Sequence, residues 1–250
     1  LKKKKIKVAR RHIENWELPK IDMLSGPPAN RVRIDDKTIQ QNIKLLEDKL
    51  HQFSVRGKIK AVKPGPAVTL YEFKPAPDVK ISKITDLADD LSLALSAESV
   101  RIIAPVPGRD VVGIETSNPE RDTVYIKEVI EDEDFWNEEK KLPITLGKAA
   151  NGETRIVDLR KMPHLMVAGS TGSGKSVFVV STLTSLLFKH SPKTLKLLLV
   201  DPKQVDLAVF HKVPHLIMPP VKDTKKAVIA LKWAIREMEK RYRSMSEFGA

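Results

Sequence analysis

The residues from Gly169 to Ser176, GSTGSGKS, carry the chemistry that is easiest to read in this sequence. Gly169, Gly174, Lys175 and Ser176 satisfy the spacing G-x-x-x-x-G-K-[ST], which suits a loop wrapped around a polyphosphate. Successive backbone N–H groups must converge on the phosphate oxygens, and side chains at Gly169, Gly172 or Gly174 would block either the bend or the approach. A helix starting at the end of the loop adds unpaired amides and the positive end of its dipole. Lys175 supplies a mobile cation for the β and γ phosphates, and the Ser176 hydroxyl can ligate Mg²⁺. The candidate nucleotide-binding residues are therefore Gly169, Ser170, Thr171, Gly172, Ser173, Gly174, Lys175, Ser176 and Val177. Lys175 is the candidate catalytic cation and Ser176 the candidate metal ligand. ATP and Mg²⁺ are the cofactors this chemistry requires.

Hydrolysis needs more than the loop, namely an acid at the end of a neighbouring strand and a group that orients water. LKLLLVD ends an apolar run at Asp201, but Pro202 follows, and DPK is not the Asp-Glu pair that supplies metal contact and base together. Asp201 reads either as a metal-holding acid or as a turn residue whose bend Pro202 fixes; the role of Lys203 is equally open. His164, His211 and His215 adjoin prolines or apolar runs without ligand spacing, so structural roles are expected. The acidic stretch Glu131 to Lys141 reads as a solvated loop with Phe135 or Trp136 turned inward rather than as a metal site.

The loop requires a strand before it and a helix after it. Leu165 to Ala168, LMVA, is a short apolar run bounded by Pro163 and Gly169, as expected of a parallel strand buried on both faces. Helix-compatible sequence covers 175–189, a second buried strand is expected over Leu195 to Val200, and a long helix over about Thr224 to Phe248. Strand, loop, helix, strand, helix is the opening of an α/β domain with a parallel sheet.

Upstream the pattern differs. SGPPAN, Ser25 to Asn30, breaks the leading segment. Asp36 can cap a helix bearing Ile39, Ile43, Leu46 and Leu50 on one face. Alternating segments on either side of KPGP, Lys63 to Pro66, read as a hairpin. A second helix carries Ile84, Leu87, Leu91 and Leu95, and SVRIIAP and DVVGIET read as strands joined through Pro107 and Gly108. This is a smaller α+β module ahead of the α/β part.

The chain has 250 residues and no cysteine, which excludes disulfide frameworks and thiolate metal sites. Its longest apolar run, Val177 to Phe188, is too short to span a bilayer, so the chain is expected to be soluble. It begins at Leu1 without a signal-peptide pattern and reads as a piece of something longer. The net charge of +12 is uneven: residues 1–11 hold seven cations and no acid, 12–150 sum to −4, and 151–250 to +9. A polyanionic partner is therefore expected at the last hundred residues or the tail, although the tail also reads as a solvated linker.

Longer phrases carry a resemblance. LGKAANGETRIVDLRKMPHLMVAGSTGSGKS (146–176), VDPK (200–203), VPHL (213–216) and REMEKRYRSMSEFG (236–249) resemble the FtsK/SpoIIIE DNA translocases. The stretch VKPGPAVTLYEFKPAPDVKISKITDLADDLSLALS resembles the module, called α, that precedes their motor, and Trp16 to Ser25 resembles the lead into it. The resemblance implies an incomplete P-loop (RecA-like) parallel sheet preceded by the α+β module. It divides the chain into a basic tail and linker over 1–34, the module over 35–145 and the first part of the motor over 146–250. It further implies an ATP-driven motor on double-stranded DNA in chromosome segregation, a homo-hexameric ring, and an inner-membrane anchor outside this chain. The family's Asp-Glu metal strand has no counterpart before Ala250, which leaves hydrolysis by this chain alone open. Alternatives are an FtsK-like secretion or conjugation ATPase, a non-catalytic nucleotide-regulated scaffold and, less well matched, a small-metabolite kinase.

Overall fold

A computed structural model describes residues 16–31 and 34–249. The basic tail at 1–11 lies outside the described residues. The described residues form two compact units, one comprising 21–31, 34–141 and 145–158 and the other comprising 16–20, 142–144 and 159–249.

In the first of these, α1 spans Asp36–Gln52. The cap is Asp35 rather than Asp36. Asp35 has extended backbone angles and its carboxylate accepts from the Thr38 N–H at 2.8 Å, while Asp36 is already helical. Strands β1 (Gly57–Pro64) and β2 (Val68–Pro75) form the expected hairpin. The expected second helix divides into α2 (Ile81–Thr85) and α3 (Ala88–Leu95), yet Ile84, Leu87 and Leu91 all stay buried across the break. Strands β3 (Val100–Ile103) and β4 (Val112–Ser117) complete an antiparallel sheet of order β1-β2-β4-β3.

Period-two alternation decides the faces of that sheet. Tyr71, Phe73 and Ile114 point to one side and form a core with Leu46, Leu50, Ile84 and Leu91. Tyr71 keeps its hydroxyl satisfied by accepting from Asn42 Nδ2 at 3.2 Å. Glu72 points the other way and is also buried, a position tolerable for a carboxylate because Lys63 lies 3.1 Å away and Arg109 2.7 Å away.

The stretch after β4 folds as α4 (Ile126–Ile130) and α5 (Glu133–Trp136), with Phe135 fully buried and Trp136 donating its indole N–H to the Ile130 carbonyl. A two-stranded sheet follows, β5 (Pro143–Lys148) and β6 (Thr154–Asp158). Most of it, 145–158, packs with the α+β unit. Its turn lies against the turn between β1 and β2. A Cβ on Gly65 would fall 2.5 Å from the Ala150 carbonyl oxygen, and one on Gly152 would fall 3.3 Å from that of Pro64.

The second unit contains α6 (Lys175–Lys189) and α7 (Thr224–Glu247), both where expected. The two expected strands come out differently. Leu165 to Ala168 is not a strand: Leu165 is 44% exposed, Met166 89% and Val167 38%. A parallel strand exists only through a neighbour, and no bridge among the described residues reaches this segment. The 195–200 segment is reduced to isolated parallel bridges, Leu197 to Leu216 and Val200 to Val221. Its burial is nonetheless real, since Leu197 and Leu199 pack with Leu183, Phe210 and Leu216 beneath α6. On α7 only Ala230 is buried, and Leu231, Ile235, Met238, Tyr242 and Met245 face outward.

Candidate functional site

The glycine loop ends in α6, and its geometry follows from the glycines. Gly174 caps the helix with φ +91° and Gly172 turns with φ +81°, in the left-handed region that side chains disfavour. A Cβ at either would meet nothing within 4 Å, so the requirement there is conformational and not a matter of space. Gly169 is the opposite case, because a Cβ on it would overlap the Ser173 side chain.

Phe178 is the first residue of the helix whose N–H reaches a carbonyl four back, that of Gly174 at 2.9 Å. The amides of Lys175, Ser176 and Val177 precede it and have no intrahelical acceptor, which leaves them directed at whatever sits in the loop. Lys175 folds back across that space, its ammonium donating to the Gly169 carbonyl at 2.5 Å and to that of Ser170 at 2.7 Å. Ser176 is exposed at the helix start. One fold element therefore brings together all the sequence-derived candidates from Gly169 to Val177. The donor set consists of main-chain amides, one ammonium and one hydroxyl, which fits a polyphosphate with an Mg²⁺ that keeps most of its ligands as water and phosphate oxygen.

Asp201 stands apart from this group in its bonding. It is buried, and its carboxylate accepts from the Gln204 N–H at 2.9 Å and the Leu207 N–H at 3.1 Å, which is the work of a turn residue. His211 is exposed and its Nδ1 lies 2.8 Å from the Ala208 carbonyl, whereas His215 is fully buried. No group of three or more potential metal ligands occurs among the described residues.

The α+β unit holds a cleft of about 420 Å³ lined by Arg31, Asp122 and Lys148 among others, but its cations are engaged. Arg31 pairs with Asp122, and with Glu128 at 2.5 Å, while Lys148 reaches Glu128 at 3.0 Å. Burial pushes the Glu128 carboxyl up, but Arg31, Lys148 and the Tyr125 N–H together pull it down to about 2. The network has the character of a structural clasp. Single-sequence reading missed it because Arg31 and Glu128 are 97 positions apart.

Comparison with known proteins decides the family. The family model for FtsK/SpoIIIE matches residues 125–250 and that for the FtsK alpha domain matches 18–118. The chain belongs to the FtsK/SpoIIIE family. It is 47% identical over 238 residues to the DNA translocase FtsK of Mesorhizobium japonicum, covering 94% of this chain and 27% of that protein. Against the DNA translocase FtsK of Campylobacter jejuni the identity is 45% over 234 residues, covering 94% and 25%. Against that of Azospirillum brasilense it is 45% over 238 residues, covering 94% and 38%. The chain thus spans about a quarter to two-fifths of the length of these relatives. Among solved structures, the pCW3 conjugation coupling protein TcpA, a monomer form with ATPγS, is 19% identical at a TM-score of 0.42, covering 84% of this chain and 58% of that one.

Family membership gives the fold class as an incomplete α/β P-loop (RecA-like) motor part preceded by an α+β module, and it brings nucleotide binding with it. No helix among the described residues is long and apolar enough to cross a membrane.

Proposed function

We propose that this chain supplies the α module and the nucleotide-gripping part of an ATP-driven motor that moves double-stranded DNA during chromosome segregation. The observation that carries the reading is the loop itself, which ends at the head of α6 and over which the Lys175 ammonium folds back onto the Gly169 and Ser170 carbonyls. Gly169 to Val177 hold the nucleotide, Lys175 neutralises its β and γ phosphates, and Ser176 contributes a hydroxyl to Mg²⁺. The metal supplies charge neutralisation at the phosphates when bound. What the protein's own residues do is orient the triphosphate and keep Lys175 within reach of it.

Duplex DNA as the substrate is supported by the DNA translocase relatives and by the +9 balance of residues 151–250. The FtsK alpha domain match over 18–118 favours a chromosomal translocase over secretion and conjugation ATPases. In this reading residues 35–145 form the module and 146–250 open the motor, subunits assemble as a homo-hexamer, and an N-terminal anchor ties the parent protein to the bacterial inner membrane. Asp201 is a turn residue and not the catalytic acid, in keeping with its two backbone partners.

The test is a titration of the chain with fluorescent ATP in Mg²⁺, alongside ATP turnover by the full-length parent with and without duplex DNA. Saturable binding that vanishes in Lys175→Ala, with DNA-stimulated turnover in the parent, is the expected result. Turnover indifferent to DNA would leave a secretion ATPase in its place, and binding without turnover a non-catalytic nucleotide-regulated scaffold.

A further inference from the structure

Trp16 and His215 meet edge to face, with ring centroids 5.5 Å apart and planes at 85°. His215 is 1% exposed. Its carbonyl accepts from the Leu197 N–H at 2.8 Å beside the bridge from Leu197 to Leu216. Its ring Nε2 lies 2.8 Å from the carbonyl of His190, the residue that ends α6. A carbonyl can only accept, so Nε2 carries the proton and Nδ1 of the neutral ring is left as an acceptor.

That Nδ1 is buried with no partner. The indole Nε1 of Trp16, a donor, is also buried with no partner. Unpartnered buried polar atoms are rare and costly, and here two of opposite sense belong to rings already in contact. The nearby charged and titratable groups are Lys196 and His190. Burial holds His215 below its ordinary pKa against the opposing bond to the His190 carbonyl, and Lys196 and His190 push in the same direction as burial.

We propose that Trp16 is a docking residue whose receptor is the neutral His215 ring, so that residues 16–20 are strapped to the end of the loop helix α6 and released when His215 takes up a proton. Protonation converts Nδ1 from acceptor to donor. The ring in contact with Trp16 then carries a second N–H with no acceptor, and an imidazolium is buried beside Lys196. The sign follows from the depressed pKa: docking is fully present above about 6.5, the ordinary histidine value, and weakens as pH falls below it. This latch is independent of what the loop binds.

The experiment is tryptophan emission of the chain between about pH 7.5 and 5, with Trp16→Phe giving the background from Trp136 and Trp233. The expected result is a red shift on acidification with a midpoint below 6.5, absent in Trp16→Phe and absent in His215→Gln, whose amide can still donate to the His190 carbonyl but does not titrate. The same shift in His215→Gln, or no Trp16-dependent shift at all, overturns the proposal. Should His215→Gln fail to fold, acrylamide quenching of the unsubstituted chain against Trp16→Phe decides. A Trp16-dependent rise in quenching on acidification supports the latch, and Trp16-dependent quenching unchanged with pH refutes it.

Discussion

Lys175 donates to the carbonyl of Gly169, six residues earlier and 2.5 Å away, so the loop's own cation closes the loop before any anion does. The bond is to a neutral acceptor and is exposed, so a phosphate can displace it at small cost. Lys175→Ala should therefore leave folding stability within about 0.5 kcal/mol while abolishing measurable nucleotide binding. Denaturant midpoints and a labelled-ATP titration check the two halves separately, and undiminished affinity would remove Lys175 from its role.

Gly174→Ala tests the conformational requirement. With φ at +91° the alanine has open space but the wrong backbone preference. The expected cost is about 1–2 kcal/mol at the head of α6. Nucleotide affinity should fall by more than tenfold, because the amides that follow Gly174 lose their common aim. Gly172→Ala, at φ +81°, should behave likewise.

Glu128 sets an acid limit on the α+β unit. Its folded pKa of about 2 lies below the ordinary glutamate value of 4.5, so the stability it contributes is present above about 4.5 and is lost as pH falls towards 2. Glu128→Gln should flatten that part of the pH profile of the thermal midpoint. At neutral pH it should cost about 1–3 kcal/mol, since Arg31 keeps Asp122 but loses its second carboxylate.

Phe73→Ala should destabilise the same unit by about 3–5 kcal/mol, because its ring is fully buried between sheet and helices. Arg109→Ala should cost less, as Glu72 retains Lys63 at 3.1 Å. Urea unfolding of the two variants side by side gives the ranking, and an Arg109 effect larger than that of Phe73 would contradict it.

What could be read in the sequence divides along physical lines. Helices α1, α6 and α7 and the β1–β2 hairpin were legible because their signals are local: an apolar stripe, a capping acid, a Pro-Gly turn. The bends of the loop were legible at Gly172 and Gly174, since these glycines answer to backbone angles that no partner elsewhere has to set. The β5–β6 pair was missed although Asn151-Gly152 between two alternating segments is a hairpin signal. Leu165 to Ala168 has a strand's composition, but pairing is a property of neighbours and not of four residues. The partners of Arg31 and of His215 were invisible for the same reason, being set by folding over long separations.

The two turns that abut at Gly65 and Gly152 are separated by nothing thicker than peptide planes. Even the smallest side group at Gly65 would act as a wedge, prising the β5–β6 tip off the sheet beneath it. Variation in this corner of the molecule is thereby confined: a lengthened or decorated turn on one side demands a matching retreat on the other, and isolated changes there should be selected against in proportion to their bulk.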